Sequence, residues 1–473
     1  MKPRKPTFTV SALITGAVAL VSVLAMSGVR AQVAVPEIVE TAPLATDAFS
    51  TGTIERGGGA LPETLWDGSD PQTLEFLLMH APSRLSSPSQ GEVLRRTLLS
   101  RGQAPASAQS SLGGRKLIAL ARTGMVEEAR TIASLSSAGR NDPWVGQALA
   151  TADLLGGDIA AACRRNANLT SGRDEVFWVK LRVLCFAQAG EIDAADLTLN
   201  ILREQGSLSA ADVVYLRSSV TKTAPTVQPS VETALHYAIT KSLGLPLSQG
   251  LMSNADAGVL MATAKDETAD LASRIWASEQ TVAMGIAPVE QLASIMTAAS
   301  FDVAEVAETP AALRDRAGNP LTDALVYQSV AAMAAPEFLR DKAGRIAAGI
   351  SIAESFPRAF ALSMLYADEI NAMEGVLVTP NEALSFATAR MAAGDSVGAG
   401  RWMQAALGSN PNVGALPQPV ASAFIDQVNL LAVLDPQLRR RLRARRVFHS
   451  YHRRLSVPGM GARRRRIQPR WRA

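Results

Sequence analysis

Three glycines constrain this chain more than any other feature of its sequence. Gly124, Gly157 and Gly190 follow one another at intervals of 33 residues, and five residues after each stands an alanine: Ala129, Ala162 and Ala195. An apolar, helix-forming run precedes each glycine and another follows it. Glycine supplies the left-handed turn that ends a helix, and a small residue lets the next helix pack closely against the first. A self-similar pattern of this length is the mark of a two-helix repeat. The spacing predicts helix pairs at about 113–123 with 125–137, 143–155 with 158–168, and 174–189 with 191–204. Gly394 and Ala399 repeat the motif once more near the end of the helical text.

Composition agrees with helix. Hydrophobic residues make up 47% of the chain but aromatic ones only 5%, and the alanine and leucine that supply most of the remainder lose little on entering a helix. No segment alternates with the strict period of two that strands require. The expected fold is all-α, an α-solenoid of antiparallel pairs.

The net charge of +4 conceals two opposite regions. Residues 436–473 carry fourteen arginines and no acid, and residues 1–31 carry a charge of +4, so the body between them has a net charge of −14. An acidic body repels nucleic acid, and no nucleic-acid partner is expected. Lys2, Arg4 and Lys5 precede an apolar stretch, and Val29-Arg-Ala31 offers a cleavage site for a signal peptide over 1–31. The competing reading is an uncleaved inner-membrane anchor over 8–28. Both place the body in the periplasm. There the two cysteines, Cys163 and Cys185, in neighbouring helices, suit a disulfide; two buried thiols are the alternative.

Residues 32–62, with Gly57-Gly-Gly59, read as a flexible linker. Helical repeats are expected over 63–225, with a break at Thr221–Pro229, and less regular helical repeats over 226–435. Asp270 to Met284 reads as a long amphipathic helix stopped by Gly285. The segment 436–473 reads as a disordered basic tail, suited to anionic lipid or cell-wall polymer. Its abrupt all-arginine text is also what a shifted reading frame would give.

The segment Cys163, then Phe177-Trp178-Val-Lys-Leu-Arg-Val-Leu-Cys185-Phe-Ala-Gln-Ala-Gly190, resembles exported helical-repeat proteins of alphaproteobacteria. The text around Ser273–Gly285 and Gly394 is similar to further segments of that group. The resemblance covers roughly residues 60–410 at the level of pattern. It implies tetratricopeptide- or Sel1-like pairs whose usual work is holding other proteins, and it carries no activity to transfer. Some of those proteins bear an antifreeze-like label, but no regular Thr-Ala-Ala array exists here.

No nucleotide-binding loop, nucleophile elbow, zinc-protease motif or calcium loop occurs. With only His80 and His236 in the body, no metal or other cofactor is expected. Ser219-Val-Thr-Lys222 matches the short motif of penicillin-binding enzymes without its companion motifs. Glu354-Ser-Phe-Pro resembles the acid of lytic transglycosylases, where one raised carboxyl protonates a glycosidic oxygen. The glycine-rich stretch that should follow is missing, and a helix break at Ser355-Phe-Pro357 explains the text equally. Trp144 and Trp178 are expected to pack rather than to bind. The sequence therefore points to a non-enzymatic scaffold or adaptor that binds an envelope protein or cell-wall material. A glycan-cleaving enzyme using Glu354, or anionic-polymer binding by the tail, are the alternatives.

Overall fold

A computed structural model describes residues 47–105, 111–136, 141–309, 312–313 and 315–406. The signal or anchor segment, the first part of the expected linker and the arginine-rich tail lie outside the described residues. Within them the structure is all-helical. The chain runs through α1 (Pro71–Met79), α2 (Pro88–Leu99), α3 (Ser111–Arg122), α4 (Val126–Leu135), α5 (Pro143–Leu155), α6 (Ile159–Ala167), α7 (Val176–Ala189), α8 (Ile192–Glu204) and α9 (Ala210–Thr221). It continues through α10 (Ala234–Ser242), α11 (Ala257–Lys265), α12 (Leu271–Ala283), α13 (Val289–Thr297) and α14 (Val303–Val306). The last six are α15 (Pro320–Ala332), α16 (Leu339–Ser351), α17 (Phe356–Leu365), α18 (Ala367–Ala372), α19 (Pro380–Ala392) and α20 (Ser396–Ala406).

The repeating glycines sit where helices end. Gly124, Gly157 and Gly190 have φ of +89°, +79° and +81°. After each, the chain closes back on the helix it leaves: the Met125, Asp158 and Glu191 amides donate to the carbonyls of Leu120, Asp153 and Phe186, each at 2.9 Å. That bond consumes a carbonyl left over at the helix end and aims the second helix antiparallel to the first. Ala129, Ala162 and Ala195, at most 1% exposed, lie in the resulting interfaces. The pairs α3–α4, α5–α6 and α7–α8 form in this way, with α3 against α5 and α7 against α9. Cys163 of α6 and Cys185 of α7 are joined, with Sγ atoms 2.04 Å apart and Cα atoms 5.5 Å apart.

Beyond α9 the packing ceases to be between sequence neighbours alone. Helix α10 lies on α9 and on α5, and α11 lies on α3 and α5 as well as on α12. The chain thus turns back over the first helices of its pairs. One hydrophobic core runs from Leu85 to Ala406 without interruption at Thr221–Pro229.

Two expectations need correction. From Asp47 to Ile54 the predicted linker is anchored, although Gly57, Gly58 and Gly59 are exposed: Ala48 and Phe49 are each 2% exposed, and the Thr53 and Ile54 amides donate to Leu99 O. Buried Lys116 donates to the carbonyls of Phe49, at 2.9 Å, and Thr51, at 2.6 Å, so glycine content there marks turns around an anchored apolar pair. Helix α12 is buried on nearly every side, against α11, α13, α15 and α17, and is not amphipathic at a surface. Its polar run Ser278-Glu-Gln-Thr281 lies inside the protein.

Candidate functional site: a cleft along the first helices

The faces of α3, α5, α7 and α9 that look towards α10 border a cleft of about 490 Å³. Helical spacing builds its wall. Ile118 and Arg122 share a face of α3, Gln147 and Thr151 one of α5, and Phe177 and Lys180 one of α7, each pair three or four residues apart. The opposite wall is the start of α10, where Thr233 caps the helix by accepting from the His236 amide.

Asp212 is the electrostatic centre. Its Oδ2 accepts from Lys180 Nζ at 2.8 Å and from Ser209 Oγ at 2.7 Å, and its Oδ1 lies 3.1 Å from His236 Nε2. Burial alone would raise this carboxyl, but the bonds from His236, Lys180 and Ser209 outweigh it and hold Asp212 well below the usual carboxylate range. The other histidine nitrogen, Nδ1, accepts from the Glu232 amide, which makes Nε2 the protonated one. Tyr215 stacks on the imidazole with ring centroids 4.8 Å apart. Both imidazole nitrogens are therefore committed, and the nearby serine bonds to the aspartate instead of the histidine. The arrangement resembles a catalytic triad in composition only, because it leaves no nitrogen free to take a proton.

The rest of the cleft is partly neutralised. Arg122 pairs with Asp256 at 3.2 Å. Arg115 reaches Glu75 at 3.2 Å while its guanidinium carbon lies 3.2 Å from the Trp144 ring centroid. The exception is Gln147, whose buried Oε1 has no partner. With Met79, Ile118 and Phe177 alongside, the cleft combines apolar surface with fixed charges and one unsatisfied acceptor.

Other residues singled out by sequence lie elsewhere. Glu354 is exposed on the connection between α16 and α17 and lines neither this cleft nor the cavity beside α5, α6 and α7. Ser355 and Pro357 open α17, as a helix break requires. Ser219 is fully buried with its hydroxyl on Leu216 O, while Lys222 is exposed at the end of α9, so the two do not form a nucleophile and its base. Trp178 is fully buried and Trp144 half-buried.

Sequence reasoning missed Asp212 and His236, although Ser209-Ala-Ala-Asp212 is a capping box visible in the text. It also missed Glu279, Asp323 and Arg358, a buried charged group joining α12, α15 and α17. Arg358 Nη2 donates to Asp323 Oδ1 at 2.8 Å and its Nε to Oδ2. Glu279, fully buried, approaches Asp323 closely, yet neither of its oxygens makes a well-formed hydrogen bond. Burial first, and Asp323 second, push the Glu279 carboxyl well above the usual carboxylate range.

Among the described residues no group of three or more histidine, cysteine or acidic side chains is placed to hold a metal. None of their helices is long and apolar enough to cross a membrane. No family model, curated protein or solved structure matches the chain.

Proposed function

We propose that the protein is a non-enzymatic scaffold or adaptor of the cell envelope, exported to the periplasm. Its helix pairs act as a solenoid-like support for the cleft between α3, α5, α7, α9 and α10. One observation carries this reading: α3, α5, α7 and α9 each contribute between one and three side chains to a single continuous cleft. A repeat array does this when it holds an extended segment of a partner. The ion pairs along the wall fix the register of such a segment, while Met79, Ile118 and Phe177 supply the apolar contact. The committed nitrogens of His236 argue for holding over chemistry.

Photo-crosslinking in cells tests it. A benzoyl-phenylalanine at Phe177, inside the cleft, is expected to capture one or two discrete envelope proteins. The same group at Leu197, 64% exposed on α8, serves as control. Equal adducts from both positions, or none from Phe177, would remove the cleft as the binding surface.

A further inference from the structure

A second cavity, of about 410 Å³, lies between the start of α5, the end of α6 and α7. Its wall differs in kind from the cleft above. Trp178 lines it and is fully buried, yet its indole Nε1–H has no partner. Asp142 lines it too. Its Oδ1 accepts from the Trp144 amide at 2.8 Å and so caps α5, but its Oδ2 is buried and unpaired. An unmade hydrogen bond at a buried atom is destabilising, so two in one cavity call for an occupant.

The surroundings direct these groups inward. Gly146 also lines the cavity, and a Cβ there would stand 3.2 Å from Trp178 Cζ2, the ring atom beside the Nε1-bearing carbon. The absence of a side chain at 146 thus leaves that edge of the indole facing the cavity. Asn166, itself buried, holds the Trp178 carbonyl at 2.9 Å. The Cys163–Cys185 bond ties α6 to α7, so the two sides of the cavity are fixed to each other. Exposed Arg164 of α6 and Asn168, just past its end, stand at the mouth with further donors.

We propose that this cavity binds a saccharide. It presents one unpaired donor and one unpaired acceptor, both desolvated, beside the neutral ring of Trp178 and a polar mouth. A hydroxyl group donates and accepts through the same atom, and a sugar carries several on an otherwise apolar ring. A simple anion would leave Asp142 unsatisfied and repelled, and a simple cation would leave the indole N–H unpaired. The site is separate from the cleft proposed to hold a partner protein, and neither reading depends on the other.

The test uses the full chain labelled with 5-fluorotryptophan, which gives one fluorine signal for each of six tryptophans. Trp178→Phe identifies the Trp178 signal. On titration with diacetylchitobiose, that signal is expected to shift saturably while the others stay in place. Asp142→Asn keeps the capping oxygen but turns the unpaired acceptor into a donor, and is expected to weaken binding about tenfold, the cost of one buried hydrogen bond. Calorimetry on Trp178→Phe, if it folds, is expected to show a similar loss. The proposal fails if the Trp178 signal does not move, which would mean that water alone fills the cavity. It also fails if inorganic phosphate moves that signal and the sugar does not, or if Asp142→Asn binds as tightly as the native chain.

Discussion

Two buried charges make opposite demands on pH. Lys116 is 3% exposed, and burial pushes its ammonium down to about 7, with Asp47 pulling weakly the other way. A neutral amine still has two N–H groups, enough for the carbonyls of Phe49 and Thr51. Because the unfolded chain keeps its proton up to about 10.5, stability is expected to rise as pH goes from about 7 to 10.5. The slope approaches about 1.4 kcal/mol per pH unit at most. Lys116→Met is expected to lose that slope and to free the 47–54 segment, read by hydrogen exchange at the Thr53 and Ile54 amides. Glu279 works the other way. Its raised carboxyl keeps a proton that the unfolded chain releases near 4.5, so its contribution is complete below that pH and declines as pH rises. Glu279→Gln mimics the protonated acid. It is expected to be neutral at pH 4 and stabilising by on the order of 1–3 kcal/mol at pH 8, in denaturant titrations at both pH values.

The helix pairs were legible because their stop signal is local. A glycine at positive φ needs nothing from the rest of the molecule, so Gly124, Gly157 and Gly190 could be read from spacing alone. Helix α12 could not, since whether Ser278-Glu-Gln-Thr281 meets water depends on α15 and α17, which arrive dozens of residues later. The cleft was hidden for the same reason: Asp212 and His236 meet only after the chain has left α9 and returned as α10. Two glycine substitutions separate local from tertiary causes. At Gly190 an added Cβ meets nothing within 4 Å, so Gly190→Ala costs only backbone strain, about 1 kcal/mol. At Gly114 the Cβ would lie 2.3 Å from Trp144 Cβ and 2.7 Å from the Trp144 carbonyl carbon. Neither atom can swing away, so Gly114→Ala is expected to push α3 from α5 and cost about 3 kcal/mol in chemical denaturation. The disulfide spans 22 residues, and reducing it is expected to remove about 3 kcal/mol on the chain-entropy account.

At the scale of the whole described body, the question is whether the repeats unfold one by one, as in an open array, or together. Packing between sequence neighbours alone would let end repeats fray. Here the segment before α2 is fastened to the middle of the chain. The Ala257 amide donates to Ser83 O at 2.8 Å, and Arg84 donates to Met252 O, Ser253 O and Gln280 Oε1. At the start of α2, a Cβ on Gly91 would lie 2.0 Å from Met284 O, at the end of α12. These contacts cross nearly two hundred residues of sequence and join the helix pairs to the buried α12. The expected outcome is one cooperative transition, with α7 and α12 exchanging their core amides at the same global free energy. Gly91→Ala sets backbone against backbone at that junction, so it should lower the protection of both helices equally, although it touches neither α7 nor its disulfide. Unequal loss, with α12 exposed while α7 stays protected, would show that the pairs fold independently and that the return of the chain over them is incidental to their stability.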